Sequence, residues 1–134
     1  MNLDLVWATL LGGFLGSLAD WLFAGVLFHE RYMRHPEVWR EGVSAGTDQR
    51  RRIVMAQALA LLTSAAFVAL AVKLGQTDPS GALKLAAMIW AIGPLPLLLA
   101  NSLFIKIDPM VTASHAAGWL VKLLLCGAAV AILL

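Results

Sequence analysis

Four long apolar runs, separated by polar segments, dominate the chain. They cover residues 5–28, 53–72, 85–105 and 109–134. About 20 apolar residues are enough, as a helix rising 1.5 Å per residue, to cross the hydrocarbon core of a bilayer. The runs are continuous, whereas the strands of a membrane β-barrel alternate apolar and polar residues. The pattern predicts an all-α membrane protein in which four transmembrane helices form an antiparallel bundle, within a single domain 1–134.

Proline and aspartate positions indicate where the later helices bend or begin. Pro94 and Pro96 lie in the middle of the third run. Each removes a backbone donor and clashes with the preceding turn, so we predict a kink there. Asp108 and Pro109 suit the N-cap and first position of the fourth helix. The segment 78–81, Asp-Pro-Ser-Gly, is typical of a turn between the second and third helices.

Composition supports the membrane prediction and narrows the class of protein. Hydrophobic residues make up 60% of the chain and charged residues 13%, with a mean hydropathy of +0.81. A soluble domain is about half apolar and about a quarter charged, and a disordered chain has low hydrophobicity. Both classes are therefore excluded, as is a soluble α/β enzyme. The single cysteine, Cys126, cannot form an internal disulfide.

The basic residues are unevenly distributed among the loops. Loop 29–52 contains six arginines, the loop before the third helix contains Lys73 and Lys84, and the last loop contains Lys106. The first and last loops share one side of a four-helix bundle, so seven basic residues face two. The positive-inside rule then places loop 29–52 in the cytoplasm and both termini outside it.

Loop 29–52 also contains residues typical of a membrane interface. Tyr32 and Trp39 suit the headgroup region, and we expect a short interfacial helix that breaks near Pro36. The triplet Arg50, Arg51 and Arg52 directly precedes the second helix and suits anionic lipid. Because topology explains this triplet, it does not indicate a nucleic acid partner; the expected partner is the lipid bilayer.

Polar residues inside the apolar runs are the strongest candidates for a functional site, since burying them in lipid is costly. Asp20 and His115 lie at comparable depths, and Lys122 lies deeper. Opposite charges at such depths should pair, so Asp20 could contact His115 or Lys122 if the first and fourth helices are neighbours. The predicted intramembrane polar cluster comprises Asp20, His115, Lys122, Asn101, Ser17 and Gln57. It would either join helices by hydrogen bonds or line a proton, ion or small-molecule site.

Small residues in the first run favour close helix packing. Gly12 and Gly16 form a GxxxG pair, and Gly13 falls on the same small-and-polar side of the helix. Packing within the bundle is one explanation. A homo-oligomer formed through this glycine face is the other.

No catalytic, cofactor or metal motif is present in the sequence. The three histidines lack HExxH spacing, and no paired cysteines, P-loop or nucleophile elbow occurs. The sequence predicts no catalytic residues, no cofactor and no metal site, and it favours a non-enzyme. The first function hypothesis is a small transport or membrane-accessory protein with a polar interior. The alternatives are a membrane enzyme on a lipid-soluble substrate, with Asp20 and His115 as acid and base, and a structural subunit of a larger complex.

Short motifs in the runs and in loop 29–52 look like those of a known family. They are Gly12-Gly13-Phe14, Gly16, Trp21-Leu22-Phe23, Phe28, Trp39, Asn101–Phe104, Ala117–Val121 and Gly127–Ala129. Together they resemble the DUF1761 family of small four-helix bacterial membrane proteins, over nearly the whole chain. The resemblance implies a four-helix protein of the bacterial inner membrane. It implies no catalytic residue, because the function of that family is unknown.

Overall fold

The predicted helical fold is confirmed. A computed structural model describes residues 3–34 and 47–134, and within those ranges every regular element is helical. Four helical stretches are long and apolar enough to cross a membrane: Leu3–Leu27, Gln49–Lys73, Pro79–Phe104 and Pro109–Leu133. The chain therefore has the architecture of a multi-pass membrane protein. The expectations for Trp39 and for a helix break near Pro36 lie outside the described residues.

The first stretch is composite. Helix α1 covers Leu3–Asp20 and continues directly into a π-helical segment, Trp21–Leu27. A hydrogen bond from the Phe28 backbone N–H to the Phe23 carbonyl, 3.0 Å, closes the wider π turn. A short helix α2, His29–Met33, follows at once. The chain thus turns at the end of the first stretch without a long linker.

The predicted kink in the third stretch is confirmed. Helix α4, Pro79–Ile92, ends at Gly93, and helix α5, Pro94–Phe104, begins at the next residue. Gly93 has φ −114° and ψ −88°, which is not a helical conformation. Pro94 takes a first helical position, where its missing N–H costs nothing. Pro96 lies within the first turn of α5, so it adds no second break.

Two aspartates cap the N-termini of helices, because each side chain accepts a hydrogen bond from a backbone N–H of the first turn. Asp108 accepts a hydrogen bond from the Met110 N–H, 2.7 Å, and begins α6, Pro109–Leu133, as expected. Asp78 accepts one from the Gly81 N–H, 3.0 Å. The expected turn at 78–81 is instead the N-cap and first turn of α4, because Pro79 is preorganised for a helix start. The third stretch therefore begins at Pro79, six residues before Leu85, where the third apolar run begins in the sequence.

Helix α6 is central to the bundle. It packs against both α1 and α4, while α1 also packs against α3, Thr47–Lys73. The core between these helices consists mainly of alanines and medium-sized side chains, with Phe67, Leu123 and Val130 among the buried residues. Large apolar side chains such as Trp7, Phe14 and Leu62 are instead exposed on the outside, as expected for residues that face lipid.

The glycines of α1 are used for packing inside one chain. A side chain at Gly12 would meet the Ser64 hydroxyl at 2.5 Å, and one at Gly13 would meet Leu61 at 2.6 Å. Gly16 faces Lys122 of α6. Because α3 and α6 already occupy this glycine face, a homo-oligomer would need another surface. The prediction of an oligomer itself stays a prediction.

Candidate functional site

A cavity lies where α1 passes into the π-helical segment and both approach α6. Its volume is about 250 Å³, and we call it the pocket. Its lining comes from α1, the π-helical segment, α2 and α6, with no contribution from the described parts of α3, α4 or α5. The nine lining residues are Asp20, Phe23, Ala24, Tyr32, Ser114, His115, Gly118, Trp119 and Lys122.

An ion pair between α1 and α6 forms the inner wall of the pocket. Lys122 Nζ lies 2.6 Å from Asp20 Oδ2. The lysine side chain is only 8% exposed, whereas the aspartate side chain is 48% exposed. The pairing matches one of the two contacts expected from the sequence. Its asymmetry means that the buried lysine depends on the aspartate for a counter-ion, while the aspartate still faces the pocket.

The lysine ammonium has a second contact with an aromatic ring. Its Nζ lies 4.4 Å from the centroid of the Trp119 ring, which is a cation–π distance. Gly16 makes room for the aliphatic part of the lysine, because a Cβ there would lie 3.0 Å from Lys122 Cγ. The ammonium is therefore held in place by a carboxylate on α1 and an indole on its own helix.

A second polar pair links α2 to α6. Tyr32 Oη lies 3.1 Å from His115 Nε2, and the two rings meet edge to face with centroids 5.4 Å apart. When the neutral imidazole carries its proton on Nδ1, the tyrosine hydroxyl donates to Nε2. Asp20 and His115, the acid and base of the enzyme hypothesis, are thus both in the pocket, but each has another partner.

Tyr32 lies outside the membrane-spanning stretches, and its pKa is raised from the ordinary value of 10.0. Burial is the main cause, because the tyrosinate anion loses hydration in the pocket. The Ser114 hydroxyl, which lies near the phenol, opposes this rise in the pKa, and the Asp20 carboxylate adds to it. Tyr32 therefore stays a neutral phenol throughout the physiological pH range.

Ser114 is the unusual polar residue of the pocket. It is fully buried, and its Oγ makes no hydrogen bond of good geometry to any described residue, although it lies near the Tyr32 phenol. Buried hydroxyls nearly always have a partner, and an unpaired one destabilises a protein by about 1–3 kcal/mol. Since Ser114 lines the pocket, a bound molecule could supply that partner. Thr112 Oγ1 is similarly buried without a partner in the described structure, but Thr112 does not line the pocket.

Contacts around the pocket hold its walls in position. Phe23 stacks on Phe28 with ring centroids 6.2 Å apart. Arg31 of α2 approaches Asp108, 3.8 Å away at the start of α6. On the other side of α6, Trp90 Nε1 donates to the Ala116 carbonyl at 2.8 Å, which fixes α6 against α4. α2 is therefore attached to the start of α6, and α4 to the turns of α6 that supply lining residues.

The structure brings together only half of the predicted polar cluster. Asp20, His115 and Lys122 line the pocket. Ser17 instead donates to the Gly13 carbonyl of its own helix, 3.0 Å. Gln57 on α3 and Asn101 on α5 are exposed on the outside of the bundle. No described residue of α3 or α5 lines the pocket, so these two amides are not part of it.

Of the predicted interfacial anchors, Arg50, Arg51 and Arg52 lie in the first turns of α3, and their anchoring role stays a prediction. Tyr32 lies against His115 in the pocket, so its environment is more specific than a headgroup layer.

Sequence reasoning did not find Tyr32 or Ser114 as pocket residues, nor the π-helical segment. Tyr32 belongs to a loop in the sequence pattern, and nothing in residues 21–27 distinguishes a π-helix from an α-helix. In the sequence, Ser114 looks like any serine of a membrane helix, and such serines commonly donate to a backbone carbonyl of their own helix. Only the three-dimensional arrangement shows that its hydroxyl is unpaired.

Metal-ligand chemistry has no support in this arrangement. Within the described residues, no three His, Cys, Asp or Glu side chains come together as a metal site would require. What the pocket offers is one cation, one carboxylate, an imidazole, two hydroxyls and aromatic surface, which suits the binding of a small organic molecule.

The fold and the pocket define a small multi-pass membrane protein with a polar cavity beside its central helix. A family model described as a protein of unknown function, DUF1761, matches residues 7–131. The chain therefore belongs to the DUF1761 family, as its motifs indicated. Neither the curated proteins nor the solved structures contain a significant match to it.

Proposed function

We propose that this protein binds a small molecule in the pocket between the π-helical segment, α2 and α6, and serves a transport or membrane-accessory role. The observation that carries the proposal is the buried Ser114 hydroxyl, which lacks a partner among the described residues and lines a cavity of about 250 Å³. Asp20 and Lys122 border the same cavity. A filled, dry bundle would have favoured a structural subunit instead.

Size and chemistry of the pocket support binding of a small ligand. Small-molecule sites commonly have volumes of about 300–1,000 Å³, with apolar walls and a few placed polar groups. The pocket lies just below that range and combines Phe23 and Trp119 with polar side chains. Its two charges neutralise each other through the Asp20–Lys122 pair. The site is therefore polar without being strongly charged.

The enzyme hypothesis is less well supported by this geometry. Asp20 is engaged by Lys122 at 2.6 Å, and His115 is engaged by Tyr32 at 3.1 Å. A general acid or base must reach the substrate, so each residue would first have to give up its present partner. Binding and transfer of a ligand require no such reactivity.

Co-purification tests the proposal directly. The wild-type protein and Gly118→Leu are purified into lipid nanodiscs, and their small-molecule contents are compared by mass spectrometry. A Cβ at Gly118 would lie 3.5 Å from Phe23, an ordinary contact distance, so a leucine there fills the pocket. Ala69→Leu, on the exposed surface of α3, is the matched control.

The expected result is a molecule retained by wild-type and Ala69→Leu and depleted in Gly118→Leu. Identical small-molecule contents in all three folded proteins would overturn the proposal.

We also propose the orientation that the loop charges favour in a bacterial inner membrane. Loop 29–52 and Lys106 would face the cytoplasm, and both termini would face outward. The pocket then lies toward the cytoplasmic side, because α2 and the start of α6 border it.

Labelling with a membrane-impermeant maleimide tests this orientation in intact cells, in a Cys126→Ser background. Ser80→Cys should be labelled from outside, and Lys106→Cys only after permeabilisation. The reverse pattern would contradict the proposed orientation.

A further inference from the structure

The pocket also carries information on the chemical class of its ligand. We infer that it accepts an uncharged phenol or quinone ring. This inference rests on the proposed small-molecule function and names the substrate class of the same site.

The charge balance of the pocket favours an uncharged ligand. Lys122 and Asp20 already form a close ion pair, and the lysine side chain is almost completely buried. A further full charge would lose its hydration without gaining a free counter-ion, which is costly in a buried site. Neutral molecules with hydrogen-bonding oxygens avoid this cost.

The walls of the pocket favour a flat ring. Three aromatic side chains line it: Phe23, Tyr32 and Trp119. Aromatic groups attract one another in offset-stacked or edge-to-face arrangements, beyond the effect of area alone. Ala24 and Gly118 add small surfaces between these rings, so a planar molecule could approach the backbone there.

The volume favours a single ring with substituents. An apolar cavity of about 150 Å³ in another protein binds benzene. The pocket, at about 250 Å³, leaves additional room for methoxy or methyl groups and for oxygen atoms. Two fused rings carrying several substituents would exceed this space.

The polar groups suit oxygen atoms on such a ring. An ammonium has three N–H donors, and the described contacts give Lys122 one carboxylate and one aromatic face. The Ser114 hydroxyl, unpaired among the described residues, can donate to a carbonyl or accept from a phenol. Asp20, which faces the pocket, can accept from a phenol or quinol O–H. Both the carbonyl and the hydroxyl form of the ring therefore find complementary partners.

Calorimetric titration of the nanodisc-embedded protein tests this class of ligand. The probes are 2,3-dimethoxy-5-methyl-1,4-benzoquinone and its quinol, compared with benzoate, which is a charged ring, and with hexanol, which is uncharged without a ring. We expect the quinone or quinol to bind at least about tenfold more tightly than either comparator, the equivalent of one well-formed hydrogen bond or stacking contact.

Ser114→Ala gives the sharpest signature. It should weaken quinone binding by roughly tenfold yet leave the ligand-free protein as stable as wild-type or slightly more stable, because it removes an unpaired buried hydroxyl. A purely structural role of Ser114 would not produce this combination. Ser102→Ala is the matched control, since that hydroxyl on α5 donates to the Leu99 carbonyl away from the pocket; it should leave binding unchanged.

The outcomes separate the two proposals. If hexanol binds as tightly as the quinone, the preference for a ring is wrong. If benzoate does, the preference for an uncharged ligand is wrong. In both cases the pocket would remain a small-molecule site. If no probe binds but a co-purified molecule is depleted in Gly118→Leu, the ligand class is wrong and the proposed function stands. Absence of both would overturn the two together.

Discussion

Two regions of the same helix pair, α1 and α6, are built in opposite ways. Around Gly12, which we call the packed end, α1 lies so close to α6 that a Cβ at Gly12 would be 3.4 Å from the Cys126 Cα. Ser64 of α3 donates to the Thr9 carbonyl at 2.9 Å. Cys126 Sγ lies 3.8 Å from the Gly12 carbonyl there. Around Asp20, about two turns further along α1, the helices are separated by a cavity lined with charged and aromatic groups.

Side-chain size and backbone form explain the difference. Glycines at positions 12, 13 and 16 allow backbone contact over the first part of α1. From Trp21 onward the chain is π-helical, and the Phe23 ring lies against Gly118 of α6, so the backbones do not approach in the same way. One pair of helices thus combines a rigid contact with an adjacent cavity. The packed end holds the helices together so that the other end need not be filled.

The largest expected effect comes from filling the packed end. Gly12→Leu places a Cβ 2.5 Å from the Ser64 hydroxyl and 3.4 Å from the Cys126 Cα. We expect a loss of about 3 kcal/mol in the free energy of unfolding, the upper part of the usual overpacking range. Gly118→Leu, the same change in the pocket, should cost about 1 kcal/mol, since its Cβ meets Phe23 at an ordinary contact distance of 3.5 Å and its remaining atoms can extend into the cavity. Unfolding titrations in mixed micelles measure both; equal losses would mean that the two ends are packed alike.

The ion pair gives the next largest effect, and it is asymmetric. Asp20→Asn leaves the buried Lys122 ammonium without its carboxylate, and we expect a loss of about 2 kcal/mol, less than for a fully buried pair because Asp20 is half exposed. Lys122→Met leaves only a half-exposed carboxylate, so it should cost less. The double variant should recover most of the stability lost in Asp20→Asn. Gln57→Leu, on the outer surface, is the control and should change stability by less than about 0.5 kcal/mol.

A smaller effect is expected on the titration of Tyr32, the single tyrosine of the chain. Its raised pKa means that tyrosinate absorbance should appear with a midpoint above 10.0. The folded protein retains this proton longer than the unfolded chain, so its stability should fall as pH rises past about 10 toward the folded pKa. Asp20→Asn should lower the midpoint, because the carboxylate contributes to the rise. A wild-type midpoint at or below 10.0 would contradict the described burial of the phenol.

The smallest effect is expected where the two regions meet. Gly16→Ala puts a Cβ 3.0 Å from Lys122 Cγ, so the lysine side chain must shift by a few tenths of an ångström. The gain in helix propensity from Gly to Ala, up to about 1 kcal/mol, offsets the crowding. We expect a net change within about 0.5 kcal/mol in the same unfolding titration. A loss comparable to that of Gly12→Leu would show that the tight packing extends to the ion pair.

Much of the fold could be predicted from the sequence because it depends on local features. Continuous apolar runs require helices in a membrane, and Pro94 cannot continue the helix that precedes it. The Asp-Pro pairs at 108–109 and 78–79 both begin helices, but in the sequence only the first pair indicates a helix start, whereas the second is typical of a turn. The difference arose because Ser80 and Gly81, residues typical of turns, follow the second pair.

The site could be predicted only in part because it depends on which helices are neighbours. Asp20 and Lys122 were recognisable as charges that need partners in lipid. Gln57 and Asn101 looked equally suitable in the sequence, but their helices lie elsewhere around α6. Tyr32 joins the site through the short helix α2, whose position no periodicity in the sequence records. The π-helical segment likewise has no local signature.

Thiol accessibility tests the central contrast between the two regions most directly. In a Cys126→Ser background, single cysteines replace Ala24 in the pocket, Ala8 at the packed end and Leu10 on the outer surface. A small uncharged methanethiosulfonate reagent is then applied to the nanodisc-embedded protein. Because a thiol must be hydrated to ionise and react, we expect Ala24→Cys to be modified at least about tenfold faster than the other two. Equal, slow modification at all three positions would contradict it, since the pocket would then be as dry as the packed end.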